Sequence, residues 1–179
     1  MWNLDRIHKI AELVAAGAVV ISLIFVGFEV SQNNSIQRQQ ATRDLSRDWS
    51  DATASYQDPE LACLYIRLGN DRANLTAQEA SQIEAVIWRI YKVYEQLQYQ
   101  HEQGMIDESV WAGFRRLMVT EASYELFRVW WGGYQKTFSP RFRNYLDAIM
   151  TETPVNPEAY FLNLECDTPV GEDYWRVYK

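Results

Sequence analysis

The chain has 179 residues, enough for one domain with a buried core and an appendage. Five prolines and eight glycines stand beside seven Trp, eleven Tyr and seven Phe, a composition that excludes a disordered chain and favours packed helices. The formal net charge is −7, with the acidic surplus concentrated in residues 151–179, so we exclude nucleic acid as a partner because no segment offers a basic face.

The amino-terminal residues 1–30 are predicted to form a transmembrane anchor. The run Leu13–Phe28 has no charged side chain. At a rise of about 1.5 Å per residue, a helix over Ile10–Val30 spans roughly 30 Å, the thickness of the hydrocarbon core of a bilayer. The residues after Phe28, Glu29-Val30-Ser31, lack the small-residue pattern of a signal-peptidase site. We therefore expect an anchor that is retained, with the lipid bilayer as a partner.

Basic residues flank the predicted span on both sides. Arg6 and Lys9 precede it, and Arg38, Arg43 and Arg47 follow it. Cytoplasmic flanks carry the excess of Lys and Arg, and a short amino-terminal flank can cross the membrane. This count favours, by a single residue, a carboxyl-terminal domain in the cytoplasm.

Small residues recur at helical spacing along one side of the anchor, at Ala11, Ala15, Ala18 and Ser22. Such a stripe lets a second helix approach closely in lipid, although an Ala-rich anchor can also contain one by chance. We predict a helix-packing interface here, through which the protein associates with itself or with an integral membrane complex. Glu29 and Gln32 continue this side of the helix at the membrane rim. A carboxylate there can reach water, so we favour an interfacial position for Glu29 over a role in proton or ion transfer.

Residues 31–57 are predicted to continue the anchor as an amphipathic stalk helix. Apolar side chains recur there every three or four positions, at Ala41, Leu45, Trp49, Ala52 and Tyr56. Asp58 has the position of an N-cap and Pro59 that of the first residue of a new helix, so the stalk ends before them.

Residues 58–150 are predicted to form a bundle of about five helices. The first, "PELACLYIRLGN", stops at Gly69, and a capping box of Thr76 and Glu79 opens the longest one. Its core stripe comprises Ala80, Ile83, Ile87, Ile90, Tyr94, Leu97 and His101.

Gly104 is predicted to end the longest helix, and Asp107 caps the next, whose core residues are Trp111, Phe114 and Met118. A fourth helix is expected over Glu121–Trp131, broken at Gly132-Gly133. Ser139-Pro140 begins the last helix, with Phe142, Tyr145, Leu146 and Ile149 inward. The prolines of residues 151–179 predict an acidic, mostly irregular tail, and the fold class is all-α.

The titratable residues predict no metal or cofactor. Di-iron bundles need Glu-x-x-His pairs, but the chain has only His8 and His101, and Gln98 stands three residues before His101. No P-loop, Rossmann or G-x-S-x-G pattern occurs. His101 is expected to be structural. Cys63 and Cys166 could form a disulfide in an oxidising compartment, although isolated cysteines more often serve as small buried apolar residues.

Two groups of side chains in the bundle are candidates for function. Glu95 follows Tyr94 in an aromatic helix and could bond a tyrosine, Arg115 or Arg116, although a structural ion pair is the favoured interpretation. The second group comprises Arg128, Trp130, Trp131 and Tyr134. It could form a partner-docking face, because Trp, Tyr and Arg dominate binding hot spots. Alternatively, its aromatic side chains could complete the core at a helix corner.

Three stretches together carry a resemblance: "SQNNSIQRQQ" after the anchor, "IYKVYEQLQYQHEQGMIDESVWAGFRRLM", and "WWGGYQKTFSPRFRNYLDAIM". Over roughly residues 5–150 the chain resembles a widespread family of small bacterial proteins of unknown function, with one amino-terminal transmembrane helix and a helical domain. The resemblance implies a single-pass protein of the bacterial inner membrane. It implies no activity, cofactor or catalytic residue.

Three functions are compatible with these features. The favoured one is a non-enzymatic accessory or scaffold subunit that docks on itself or on an integral membrane complex. The second is a homo-oligomeric assembly whose anchors line a pore, with Glu29 and Gln32 at its mouth. The third is a membrane-tethered enzyme or small-ligand binder with a pocket near Tyr91 and Glu95.

Overall fold

The computed structural model describes residues 4–70, 74–156 and 166. Within these residues the protein is all-α, as predicted, with a long amino-terminal helix followed by five shorter ones. The helices are α1 Leu4–Thr53, α2 Pro59–Asn70, α3 Ala77–Glu102, α4 Glu108–Ala122, α5 Glu125–Tyr134 and α6 Pro140–Glu152. One 3₁₀ turn, Ala54–Gln57, follows α1, and another, Gln135–Thr137, follows α5.

The chain divides into two units, Met1–Thr42 and Arg43–Lys179. In the first unit every side chain from residue 6 to residue 40 is exposed, including the large apolar side chains of the predicted anchor. Among the described residues, α1 is the one helix long and apolar enough to cross a membrane.

The second unit begins within α1, so the carboxyl-terminal part of the predicted stalk belongs to it. Leu45 is buried there. The Trp49 ring lies 5.7 Å from that of Tyr94 and 5.1 Å from that of Phe114, measured between centroids. The last turns of α1 therefore take part in the aromatic core of the second unit.

The starts of α2, α3, α4 and α6 lie where the capping residues predict them. Asp58 accepts a hydrogen bond from the Glu60 backbone N–H at 2.9 Å before α2. Thr76 and Glu79 form the reciprocal capping box of α3. Asp107 caps α4 and Ser139 caps α6, each by accepting a backbone N–H. These caps satisfy amide groups that the first helical turn cannot pair.

The core of the second unit is built around α3, against which α2, α4 and α6 pack. The predicted stripe of α3 is confirmed by its buried residues, which include Ile83, Ile87, Ile90, Tyr94 and Leu97. Opposite them lie buried side chains of α4 and α6, including Met118, Phe142 and Leu146. At the carboxyl end of α3, the His101 ring stacks on that of Trp111, with centroids 4.4 Å apart.

The predicted boundaries of the fourth soluble helix are wrong. Helix α4 continues to Ala122, so Glu121 belongs to it, and α5 runs through Gly132 and Gly133. Glycine costs roughly 1 kcal/mol in a helix interior relative to Ala, a cost that favourable packing can exceed. Here Trp130 and Trp131 are both buried just before the two glycines. The free energy gained by burying the two indole rings exceeds the cost of placing two glycines in a helix.

The residues after α6 fold back on the corner between α4 and α5. The Asn156 backbone N–H donates to the Ser123 carbonyl at 2.7 Å. The Arg128 guanidinium donates to the carbonyls of Ala122 and Thr153. Thus the start of the predicted tail is held to the bundle, whereas most of the rest of the tail lies outside the described residues.

Candidate functional site

The predicted interface residues of the anchor all lie on the exposed part of α1. Ala11, Ala15, Ala18 and Ser22 face solvent in the isolated chain, as do Glu29 and Gln32. This arrangement leaves the stripe free to meet another helix. Its use as an interface stays a prediction.

The four side chains of the predicted docking face make contacts within the second unit. Trp131 is buried and donates from Nε1 to Asp147 of α6 at 2.7 Å. The Tyr134 hydroxyl donates to Glu84 of α3 at 2.7 Å. Trp130 is buried with its ring stacked on Tyr134, at 5.0 Å between centroids. Arg128 makes two further hydrogen bonds, to the carbonyls of Ala122 and Thr153. These contacts agree with the second interpretation of the group, in which it completes the core at a helix corner.

Glu95 and Tyr91 have different surroundings, although both lie on α3. Tyr91 is fully buried. Glu95 accepts hydrogen bonds from Lys92 at 2.8 Å and from the Ser139 backbone N–H at 2.6 Å, instead of bonding a tyrosine or Arg115 or Arg116. Burial opposes ionisation of this carboxyl, but the bonds from Lys92 and Ser139 outweigh it and lower its pKa. Glu95 thus joins α3 to the start of α6.

The structure reveals a different buried acid, Glu121 near the end of α4. Its Oε1 accepts a hydrogen bond from the Tyr94 hydroxyl at 2.9 Å, whereas its Oε2 is shielded from solvent. The hydroxyl of Tyr91 also faces this carboxyl, and Tyr65 of α2 lies close enough to be influenced by its charge. We call these four residues, Tyr65, Tyr91, Tyr94 and Glu121, the Glu121 cluster.

Burial dominates the electrostatics of the Glu121 cluster. It raises the pKa of Glu121 to about 7, although hydrogen bonds from Tyr94 and Tyr91 partly oppose this. Burial also raises the pKa of all three tyrosines, and the nearby Glu121 carboxylate adds to the effect. Near neutral pH the Glu121 carboxyl can therefore gain or lose a proton, whereas the three phenols stay protonated.

Several polar atoms of this region lack a hydrogen-bond partner of good geometry among the described residues. They are the hydroxyls of Tyr65 and Tyr91 and the Oε2 of Glu121. Buried polar atoms are normally paired with protein or with ordered water, and several unpaired atoms in one region are unusual.

The position of Glu121 could have been found from the sequence. It follows Met118 by three residues on α4, and Trp111, Phe114 and Met118 already define the core stripe of that helix. A carboxyl on a core stripe must be paired or protonated. We instead expected Glu121 at the start of a separate helix, Glu121–Trp131.

We expect Tyr94→Phe to lower the free energy of unfolding by roughly 1–3 kcal/mol, because it removes the donor of a buried carboxyl. The substitution should also raise the pKa of Glu121 further, since the bond from Tyr94 lowers it. Urea unfolding of the full-length protein in mild detergent, followed by tryptophan fluorescence, measures both effects across pH. The control is Tyr99→Phe, because the Tyr99 side chain is 52% exposed; equal losses would contradict the prediction.

The two cysteines are joined in the structure. Cys63 of α2 and Cys166 form a disulfide with a Cα–Cα distance of 5.3 Å, across a sequence separation of 103. This distance lies within the usual range for disulfides. The structure therefore agrees with the interpretation of these cysteines as a disulfide, and not as two separate apolar side chains.

No metal site is found among residues 4–70, 74–156 and 166, in the sense of three or more His, Cys, Asp or Glu side chains grouped to hold an ion. His101 instead places its Nε2 2.9 Å from Glu108 Oε2. Comparisons of this chain with protein-family models, with curated proteins and with solved structures find no match.

Proposed function

We propose that this protein is a non-enzymatic single-span membrane protein that serves as an accessory or scaffold subunit. The proposal depends mainly on one observation, the complete exposure of α1 from residue 6 to residue 40. A soluble monomer rarely exposes so long a run of large apolar side chains, because their contact with water is unfavourable. The bilayer removes that cost. The bacterial inner membrane, which the family resemblance implies, is part of the proposal.

The polar contacts of the second unit support a structural role for it. Glu79 pairs with Arg67, Glu95 accepts a hydrogen bond from the Ser139 backbone N–H, and Asp147 accepts one from Trp131. Each of these contacts joins two helices or fixes a helix end. Such contacts make the second unit rigid, as a domain that docks on a partner requires. Such a domain can present the same surface to a partner without performing chemistry.

Association is proposed to take place through the small-residue side of the anchor. In lipid, apolar side chains gain little by leaving the acyl chains, so close backbone approach supplies much of the binding energy. The partner is either a second copy of this chain or a helix of an integral membrane complex. The mass of the detergent-solubilised particle, together with the identity of any co-purifying chain, distinguishes these two partners.

We predict that Ala18→Ile weakens this association, because the larger side chain keeps the backbones apart. The matched control is Val19→Ile, one position off the stripe, whose side chain is 59% exposed on the same helix. Cross-linking in native membranes, followed by sizing in mild detergent, should show fewer complexes for Ala18→Ile than for Val19→Ile. If both variants associate equally well, the stripe is not the interface.

A further inference from the structure

We infer that the Cys63–Cys166 disulfide is a native modification, and that the second unit therefore lies on the oxidising, extracytoplasmic side of the membrane. The inference rests on the proposed membrane anchor. It reverses the orientation that the count of flanking basic residues favours.

The two sides of the membrane differ in their thiol–disulfide redox chemistry. Glutathione and thioredoxin keep cytosolic thiols reduced, whereas disulfides form and persist outside the cytoplasm. The chain has two cysteines and both enter this bond, so that none is free. A disulfide that takes up both cysteines of the chain indicates an oxidising compartment.

The bond links the first helix of the bundle to a residue that follows α6. Cys63 lies within α2, a helix that packs on α3 and on the 3₁₀ turn Ala54–Gln57. The Cα–Cα distance of 5.3 Å places Cys166 within bonding reach of α2. Neither residue serves as a small buried apolar side chain, because Cys63 is half-buried and Cys166 is exposed.

The basic residues of the two flanks lie at different distances from the span. Arg6 and Lys9 directly precede the apolar run, whereas Arg38 is the first basic residue after it and lies eight positions beyond Val30. Arg43 and Arg47 also lie within about 15–20 residues of the span, so all five basic residues count toward orientation. The two flanks then differ by a single basic residue, a bias too small to outweigh the disulfide.

The bond forms by exchange with a thiol–disulfide oxidoreductase of the extracytoplasmic compartment. The thiols of Cys63 and Cys166 lose two protons and two electrons, and one S–S bond forms between them. The disulfide of the oxidoreductase is reduced to two thiols and takes up those protons and electrons. The reaction is balanced without any further reagent.

The test traps the thiol state of the full-length protein in bacterial cells. Cells are quenched with acid, and the denatured protein is treated with maleimide-polyethylene glycol before and after reduction. We expect no polymer adduct before reduction and two after it, in the membrane fraction. The matched control is Cys63→Ser, whose single remaining thiol should take one adduct without reduction. This control shows that the reagent reaches the trapped protein.

An alkaline phosphatase fused after Lys179 provides an independent readout, because this enzyme needs its own disulfides and is active only outside the cytoplasm. We expect an active fusion both in the native chain and in Cys63→Ser, since orientation does not depend on the bond. Two free thiols in membrane-bound native protein, or an inactive fusion, would overturn the inference. Recovery of the protein in the soluble fraction would instead overturn the anchor, and the orientation with it.

Discussion

Raising the pH from about 5 to 8 should lower the free energy of unfolding through Glu121. The folded-state pKa of this carboxyl is about 7, above its ordinary value of 4.5. The protonated form thus favours the folded state: the stabilisation is fully present below pH 4.5 and is lost as the pH rises through about 7. This difference in pKa corresponds to roughly 3 kcal/mol.

The variant Glu121→Gln tests this expectation, because an amide keeps the shape of the protonated carboxyl and does not titrate. Urea unfolding of the full-length protein in mild detergent should show a falling midpoint between pH 5 and 8 in the native chain and a flatter one in the variant. Fluorescence reports on the second unit, because six of the seven tryptophans follow residue 42.

The groups that face Glu121 do not obscure this measurement. They are Tyr65, Tyr91 and Tyr94, whose pKa values burial raises away from the window. Glu79 has a pKa lowered to about 2 by bonds from Thr76 and Arg67, so its contribution is lost only in acid. The control Glu152→Gln, an exposed carboxyl on α6, should keep the native slope. A slope that survives in Glu121→Gln would show that another group controls it.

Truncation of Leu97 should destabilise the second unit by about 2–5 kcal/mol, the range for Leu→Ala at fully buried sites. Leu97 lies on the core stripe of α3 and has no exposed surface. Its replacement by Ala leaves a cavity that a close-packed interior fills only in part.

The matched control for Leu97→Ala is Leu117→Ala. Leu117 lies on α4 with 43% of its surface exposed, so the change is the same but little burial is lost. Urea midpoints of the two variants should differ clearly, and the amount of Leu97→Ala in membranes should fall as more of it unfolds. Equal midpoints would contradict the assignment of α3 as the centre of the core.

Features governed by local rules were predictable from the sequence. An N-cap needs one side chain near two or three backbone amides, and Thr76, Asp107 and Ser139 supply such side chains at the correct positions. The core stripe of α3 follows from helical periodicity alone. Both depend on neighbours within a few residues.

Features that depend on distant residues were not predictable in the same way. The hydrogen bond to Glu121 comes from Tyr94, which is 27 residues earlier in the chain. The bond that draws Glu95 away from the tyrosines comes from Ser139, 44 residues later. The persistence of α5 through Gly132 and Gly133 depends on tertiary burial of Trp130 and Trp131. Periodicity identifies a core face but not the partner across it.

The bond between Cys63 and Cys166 also has a mechanical consequence. A force applied to the chain at Lys179 travels along the backbone to Cys166, where the covalent bond transfers it to α2. Helix α6 and the Asn156–Ser123 hydrogen bond lie inside the loop that the disulfide closes, so they are not on the shortest covalent path from Lys179 to α1. A binding partner that pulls on the carboxyl terminus therefore pulls on the helix closest in sequence to α1, not on the last helix of the bundle.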